Sequence, residues 1–148
     1  EPIRYVEAFQ KAGADYVTVH LEACEDVKTT LDKIHACGMK AGLAVNPETD
    51  VKELVPYLED VEMILIMSVH PGFGGQKYIP YTTQKIRDLK QMMKEKNCQA
   101  DIEVDGGVSL KNVQEVLDAG ANIIVAGTAV FKGDIQENVR GFLDIMEK

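Results

Sequence analysis

Hydrophobic and polar positions follow two alternating patterns along the chain. Amphipathic segments, with apolar residues every three or four positions, alternate with short aliphatic runs that are apolar throughout. The first pattern is typical of helices packed on one face, and the second of strands in a buried parallel sheet. Gly13, Gly38 and Gly120 each follow an amphipathic segment, with two residues before the next apolar run. We expect each glycine to end a helix in the left-handed conformation.

These patterns predict six helices and five strands in alternating order. The helices are expected at residues 2–11, 27–36, 51–58, 81–94, 110–118 and 135–146. The strands are expected at residues 16–21, 41–45, 63–69, 101–104 and 123–126. Ser109 is the expected cap of the fifth helix, because its hydroxyl can accept a bond from a first-turn amide. Alternating helices and strands are typical of βα repeats that form a parallel sheet.

Five parallel strands could form a doubly wound sheet or most of a (β/α)₈ TIM barrel. No GxGxxG or GxxxxGK[ST] motif follows the first strand, so the usual signatures of open nucleotide-binding sheets are missing. Polar residues instead follow the predicted strands, namely His20, Glu22, Asn46, His70 and Asp105. TIM barrels build their active sites at this end of the strands. We therefore predict an α/β barrel, with residues 1–148 as a single domain.

Composition and charge restrict the expected partners and location. Sixteen basic residues against 24 acidic residues give a net charge of -8, which disfavours nucleic acid or an anionic membrane as the main partner. The three cysteines are widely spaced and are read as reduced thiols. The longest apolar run, residues 63–67, is too short to span a membrane, and the first residues lack a signal-peptide pattern. We therefore expect a cytoplasmic protein.

Two glycine motifs point to a phosphate site. Asp105-Gly106-Gly107 and Gly127-Thr128 each follow a predicted strand and precede a helix, where bare amides favour an anion. TIM barrels commonly bind phosphate with the loops after their last two strands. A tight turn alone would also explain either pair of residues. The two motifs together, in this order, favour phosphate.

The carboxylate of Asp105 has three candidate roles, as a general base, a metal ligand or the cap of the following turn. Glu103 shares its face of the strand by alternation and is expected to orient its neighbours. Residues 67–76 form a second dense signal, with three glycines and Phe73 after a very apolar strand. We expect this segment to fold over a ligand, with Met67 facing the barrel interior. His20 is expected only to support the mouth of the cavity.

With these motifs, the chain resembles the ribulose-phosphate 3-epimerase family. The resemblance runs from the first helix to the last and is carried by His20-Leu21-Glu22, residues 42–47, 67–76 and 103–108, and Gly127-Thr128-Ala129. It implies an isomerase of the pentose phosphate pathway that interconverts D-ribulose 5-phosphate and D-xylulose 5-phosphate. Two aspartates would move the proton at C3, and a divalent metal ion would stabilise the enediolate.

Residue roles follow from the same resemblance. Asp105 matches the aspartate that is both an acid/base residue and a metal ligand, although one carboxylate does not discriminate zinc from iron, manganese or cobalt. The residues that match substrate-binding positions are Met67, Gly72, Phe73, Gly74, Gly75, Asp105, Gly106, Gly107, Gly127 and Thr128. At His70 the family more often carries Asn, Asp or Glu.

The resemblance also implies that part of the barrel is missing. The family's first three strands carry the other aspartate, two metal-binding histidines and a substrate-binding serine. This sequence matches strands four to eight, so we expect an incomplete barrel with five of eight parallel strands and most metal ligands outside this chain. Exposed sheet edges would favour pairing with another copy, so a homo-oligomer is one expected state.

Three other functions remain open. One is a 3-epimerase of a six-carbon ketose phosphate, and another is a non-catalytic phosphate-binding fragment. The last is a metal-free phosphate-binding barrel such as those of tryptophan biosynthesis. The expected partner is a sugar-phosphate substrate, with no nucleic acid and no membrane.

Overall fold

The computed structural model of the chain describes residues 1–72 and 74–148. The strands are β1 (Tyr16–His20), β2 (Lys40–Val45), β3 (Met63–Met67), β4 (Asp101–Asp105) and β5 (Ile123–Val125). The α-helices are α1 (Val6–Lys11), α2 (Val27–Ala36), α3 (Thr82–Glu95), α4 (Val113–Ala119), α5 (Thr128–Phe131) and α6 (Ile135–Met146). Short 3₁₀ helices cover Pro2–Tyr5, Leu21–Ala23 and Val51–Tyr57. Among the described helices, none is long and apolar enough to cross a membrane.

All five strands are parallel and lie in the order β1-β2-β3-β4-β5. Strands that follow one another in the sequence are therefore neighbours in the sheet. A doubly wound sheet reverses its strand order at one point, whereas a TIM barrel keeps the sequential order. The sheet is an incomplete barrel, as the sequence predicts.

The two faces of the sheet differ in polarity. Val19, Leu43 and Ile66 are almost fully buried and belong to the core between the sheet and the helices. Helix residues that complete this core include Leu31, Ile34, Ile86, Leu89, Val116 and Phe142. The opposite face is the concave side of the incomplete barrel, where Glu103 and Asp105 are half-buried. Packing on the apolar face thus holds the sheet against the helices. The carboxylates of Glu103 and Asp105 on the other face remain partly accessible to a ligand.

Most predicted boundaries agree with the structure, and two predictions are corrected. Helices α2 and α6 have the predicted bounds, but residues 51–57 form a 3₁₀ helix that contains Pro56, whose ring removes an amide donor. The predicted start of the fifth helix, at residue 110, is wrong, because α4 begins at Val113. The Ser109 hydroxyl does accept a hydrogen bond from the Lys111 amide (3.3 Å), as expected, and the Asn112 carboxamide oxygen accepts the Ser109 amide (2.8 Å), but both bonds lie in the turn before the helix.

The junctions between helices and strands follow the predicted glycine geometry. Gly13 (φ +91°) and Gly38 (φ +79°) have positive φ values and lie two residues after the ends of α1 and α2. The short helix α5 was not among the predicted elements, because its four residues are too few to show a period. Cys24, Cys37 and Cys98 are free thiols.

Candidate functional site

The carboxyl ends of β3, β4 and β5 lie in register. Met67 is paired with Asp105, and Asp105 is paired with Val125. The loops that leave these three strands therefore begin at the same height on the sheet. Met67 is buried but lies outside the core cluster under the helices, which agrees with the expected position on the concave side.

A cavity of about 160 Å³ lies among these three loops. Its lining includes the following predicted site residues: Gly74, Gly75, Asp105, Gly106, Gly107, Gly127 and Thr128. Met67 and Gly72 do not line this cavity. Phe73, also predicted to bind substrate, lies outside the described residues. The structure thus brings the two glycine motifs, the carboxylate and part of the 71–76 segment to one place.

The backbone at Gly106 and Gly107 allows only glycine. Both residues have positive φ values, +130° and +67° respectively. A β-carbon at Gly106 would lie 2.5 Å from the Cγ2 atom of Val69, and one at Gly107 would overlap the backbone of Lys77 and Tyr78. The two glycines therefore permit a close approach between the loop after β4 and the segment that follows β3.

Three residues that line the small cavity have free amides. Within the described residues, the amides of Gly107, Gly127 and Thr128 donate no hydrogen bond to another backbone carbonyl or side chain. Unpaired backbone amides around a small polar cavity are suited to an anion such as phosphate. The site thus supplies hydrogen-bond donors from the backbone, and the described lining of the cavity includes no basic side chain.

Asp105 is the carboxylate of this cavity. Its side chain accepts no hydrogen bond from any described residue, and burial raises the pKa of its carboxyl group. Burial also raises the pKa of Glu103, and the nearby charge of Asp105 raises it further. Two half-buried carboxylates on one strand face thus favour protonation of the pair. A carboxyl group with a raised pKa is a better base near neutral pH.

A second cavity, of about 540 Å³, adjoins the first and shares Gly75, Gln76, Gly107, Val108 and Thr128 with it. Its lining also includes three lysines, Lys77, Lys111 and Lys132. None of the three forms an ion pair with a described residue. The chain is acidic overall, so uncompensated lysines beside the small cavity create a local field that favours an anion. No sequence pattern indicates this cluster, because its three lysines are far apart in the chain.

Ser68 is a further residue of the site that no sequence pattern indicates. It follows β3, is fully buried, and its hydroxyl donates a hydrogen bond to the Gly106 carbonyl oxygen (2.5 Å). A serine between Met67 and Val69 gives no signal of such a contact, because its partner is 38 residues away. Only the fold brings them together.

The carboxyl ends of β1 and β2 are tied together by Glu22. Its carboxylate accepts hydrogen bonds from the Asn46 amide (2.9 Å) and the Thr49 hydroxyl (2.7 Å). His20 lies beside it, with 3.6 Å between its Nδ1 atom and the Glu22 Oε1 atom. His20 thus lies beside the carboxylate that joins the two strand ends. The exposed His70 pairs with Glu48 (Nδ1 to Oε1, 2.8 Å).

The described residues contain no group of three or more His, Cys, Asp or Glu side chains that could hold a metal ion. Asp105 nevertheless fits as a single ligand, because its half-buried carboxylate has no described hydrogen-bond partner. A hard or borderline divalent cation accepts such an oxygen ligand. The described part of the chain thus offers one ligand and not a complete metal site.

Comparison with known proteins identifies relatives of this chain at the level of sequence. A sequence model described as the ribulose-phosphate 3 epimerase family matches residues 1–131. The chain is 47% identical over 132 residues to a ribulose-phosphate 3-epimerase of Bacillus subtilis, covering 88% of this chain and 61% of the relative. For the protein of the same name from Synechocystis, identity is 51% over 133 residues, with 88% and 58% covered. The chain thus spans about three fifths of the length of these curated relatives.

Solved structures support the fold. A crystal structure of 3-hexulose-6-phosphate synthase superposes with a TM-score of 0.71 at 18% identity, covering 98% of this chain and 68% of that protein. A tryptophan synthase alpha-subunit from Pyrococcus furiosus has a TM-score of 0.68 at 18% identity, with 99% and 60% covered. At these identities the likeness concerns the barrel fold alone.

Proposed function

Because this chain belongs to the ribulose-phosphate 3-epimerase family, we propose that it supplies the phosphate site and one acid/base residue of an enzyme that interconverts D-ribulose 5-phosphate and D-xylulose 5-phosphate. The observation that carries the proposal is one cavity lined by both Asp105 and the glycines of three loops. Proton transfer on a sugar phosphate needs this combination, since the phosphate positions the reacting carbon against the base.

We assign phosphate binding to the free amides of Gly107, Gly127 and Thr128. Their support is the shared cavity and the unpaired donors described above. The lysines of the adjoining cavity would attract the anion without entering the site. The sugar would then extend from the phosphate toward Asp105.

We assign proton transfer at C3 to Asp105. Epimerisation inverts this carbon, so a proton must leave from one face and return to the other. Asp105 would act on one face, and its raised pKa lowers the cost of holding the proton between the two steps. We assign the opposite face to a second aspartate outside this sequence.

Asp105 would also be one ligand of a divalent cation. When bound, this ion would neutralise the negative charge that develops on the substrate oxygens as the proton leaves. We assign the remaining ligands to residues outside this sequence, since the described residues offer no group of three. The choice among zinc, iron, manganese and cobalt is left to the assay.

We propose that residues 71–76 cover the bound sugar. Gly72 and Gly75 have positive φ values, which favour glycine at these two positions, and Gly74 and Gly75 line the small cavity. Met67, buried beside Asp105, would supply an apolar wall near the reacting carbons. We further propose that the aromatic ring of Phe73 excludes water from the covered sugar.

A coupled assay for D-xylulose 5-phosphate formed from D-ribulose 5-phosphate tests this function. It is run on this chain with each divalent metal ion, with and without a separately made segment that carries the first three barrel strands of a relative. Turnover that requires the added segment would support the proposal. Absence of turnover in a mixture shown to be folded and to bind phosphate would contradict it. D-Psicose 6-phosphate, a six-carbon ketose phosphate, is tested in parallel for the alternative substrate.

A second candidate is phosphate binding without turnover by this chain alone. The observation that favours it is that no group of three or more possible metal ligands exists among the described residues, whereas residues with free amides line the cavity beside Asp105. Binding of inorganic phosphate, without turnover under any condition of the assay, would select it. We further propose that residues 1–148 form one domain of a cytoplasmic protein that can pair with a second copy, an expectation that sedimentation analysis tests.

A further inference from the structure

Ser68 makes three hydrogen bonds to two different segments. Its amide donates to the Asp105 carbonyl oxygen (2.9 Å), and its own carbonyl oxygen accepts from the Ile79 amide (2.8 Å). Its hydroxyl donates to the Gly106 carbonyl oxygen (2.5 Å). The side chain is fully buried, so water cannot replace these bonds. One residue thus joins the end of β3, the loop after β4 and the chain that returns from the 71–76 segment.

The hydrogen bond from the Ser68 hydroxyl orients a whole peptide unit and not only the Gly106 carbonyl group. The carbonyl of Gly106 and the amide of Gly107 belong to the same planar peptide unit and point in opposite directions. A hydroxyl that holds the carbonyl against Ser68 therefore directs the Gly107 amide away from Ser68. That amide has no described hydrogen-bond acceptor, and its residue lines the small cavity.

The Gly106–Gly107 peptide needs a hydrogen bond to fix its orientation, because both of its residues are glycines. Gly106 and Gly107 both have positive φ values, and glycine rotates between backbone conformations more readily than any other residue. Close packing of Gly107 against Tyr78 limits where the peptide lies, but it supplies no hydrogen bond. The hydroxyl of Ser68 supplies the directional contact.

We propose that Ser68 is a positioning residue that orients the Gly106–Gly107 peptide so that its amide points into the phosphate site. The inference rests on the proposed function of that site. Ser68 contacts no substrate atom in this scheme and acts through the peptide alone. The general class of ligand is a phosphate monoester, recognised by a preset backbone donor.

Thr30 provides a matched control. It is also fully buried, and its hydroxyl also donates to a backbone carbonyl, that of Asp26 at 2.9 Å. It lies in α2 and lines neither of the two cavities beside Asp105. Thr30→Val therefore removes a comparable buried hydroxyl without touching the site, while Ser68→Ala removes the one that orients the peptide.

The test is a titration of the chain and its variants with inorganic phosphate. Binding is monitored through the amide NMR signals of Gly107 and of the remaining backbone. Ser68→Ala should weaken phosphate binding by about tenfold, the effect of one lost hydrogen bond, and should reduce the response of the Gly107 signal. Thr30→Val should leave both unchanged. Ser68→Thr, which retains the hydroxyl, should restore binding toward that of the parent chain.

Two results would overturn the proposal. One is an unchanged dissociation constant and Gly107 response in Ser68→Ala, and the other is an equal loss in Thr30→Val. Should Ser68→Ala fail to fold, Ser68→Cys retains a weaker donor, and parent-like phosphate binding in that variant would count against the proposal.

Failure of the phosphate site itself is separately visible. If the parent chain binds no phosphate, the proposed function fails at this site. The orientation of the peptide is then still measured without phosphate, from the position and hydrogen-exchange rate of the Gly107 amide signal. Equal values in the parent chain and Ser68→Ala would overturn the role of Ser68, and altered values confined to residues 105–108 would support it.

Discussion

Gly107 lies so close to the backbone of Tyr78 that a β-carbon at Gly107 would overlap the Tyr78 amide nitrogen. This contact joins the loop after β4 to the residues that return from the 71–76 segment. It also places a flexible residue at the edge of the small cavity, with φ at +67°. The proposed phosphate site thus depends on the absence of a side chain at one position.

Gly107→Val should weaken inorganic phosphate binding by at least about tenfold, because the loop must move away from Tyr78 and adopt a conformation that a β-branched residue disfavours. In an enzyme that turns over, the same variant should raise KM. Isothermal titration with phosphate and steady-state kinetics measure the two effects.

Gly133→Val is the matched control for backbone strain. Gly133 also has a positive φ value (+86°), but a β-carbon there meets no atom within 4 Å, and the residue lines neither cavity beside Asp105. This variant should lose stability and keep phosphate affinity. Equal losses of affinity in both variants would indicate general strain rather than a crowded phosphate site.

Much of the fold follows from local sequence signals. The bounds of α2 and α6 agree with the periodic pattern because each helix has an aspartate whose carboxylate caps its first turn, Asp26 and Asp134 respectively. The 3₁₀ type of the helix at residues 51–57 does not follow from the sequence pattern, since Pro56 changes the helix type without changing the apolar spacing. The start of α4 at Val113 does not follow from the apolar spacing, since hydrogen bonds between Ser109 and Lys111 and between Ser109 and Asn112 form a turn before the helix.

The site follows from the sequence only where its residues form motifs. Asp105, Gly106 and Gly107 are adjacent in the chain, and their neighbours at the end of β4 identify a strand-to-loop junction. Ser68 and the lysines at positions 77, 111 and 132 gain their importance from contacts across the fold, which no spacing in the sequence encodes. The negative net charge gives no indication of the lysine cluster, since it is a sum over the whole chain.

Asp105→Asn should reduce turnover by at least about a hundredfold in any completed barrel, because the amide keeps the size of the side chain but cannot act as a base. Phosphate affinity should stay within about twofold, since the proposed phosphate contacts are backbone amides. The same coupled assay and a phosphate titration test the two statements. Full turnover by this variant would remove Asp105 from the mechanism.

The lysines of the larger cavity should act on phosphate through charge alone. Lys111→Gln and Lys132→Gln should each weaken phosphate binding by about twofold to fivefold at low ionic strength, and the effect should vanish near 1 M salt. Titrations at several salt concentrations measure this dependence.

Lys52→Gln serves as the control for the net charge of the chain. Lys52 is exposed and lies in the 3₁₀ helix at residues 51–57, away from both cavities beside Asp105. Its removal changes the total charge by the same amount as removal of Lys111. A loss of affinity equal to that of Lys111→Gln would show that overall charge, and not the local cluster, attracts the anion.

Glu103 and Asp105 should reveal their coupling in a pH titration. Burial raises the pKa of both carboxyl groups in the folded chain, and Asp105 further raises that of Glu103. Folding therefore favours the protonated forms, so the ionised pair reduces stability as pH rises above the ordinary carboxyl range. Asp105→Asn should lower the pKa of Glu103 toward its usual value, which carboxyl NMR signals can measure.

The same substitution should stabilise the fold at neutral pH and not in acid. At pH 7 the gain in the free energy of unfolding should be less than about 1 kcal/mol, because solvent screens two half-buried charges. The gain should disappear below about pH 3, where the carboxyl groups at these positions are protonated in the parent and in the variant. Thermal unfolding of the parent and Asp105→Asn chains at several pH values measures the difference. A difference in stability that stayed constant from pH 3 to pH 7 would mean that lost packing or hydrogen bonding, and not the buried charge, separates the two chains.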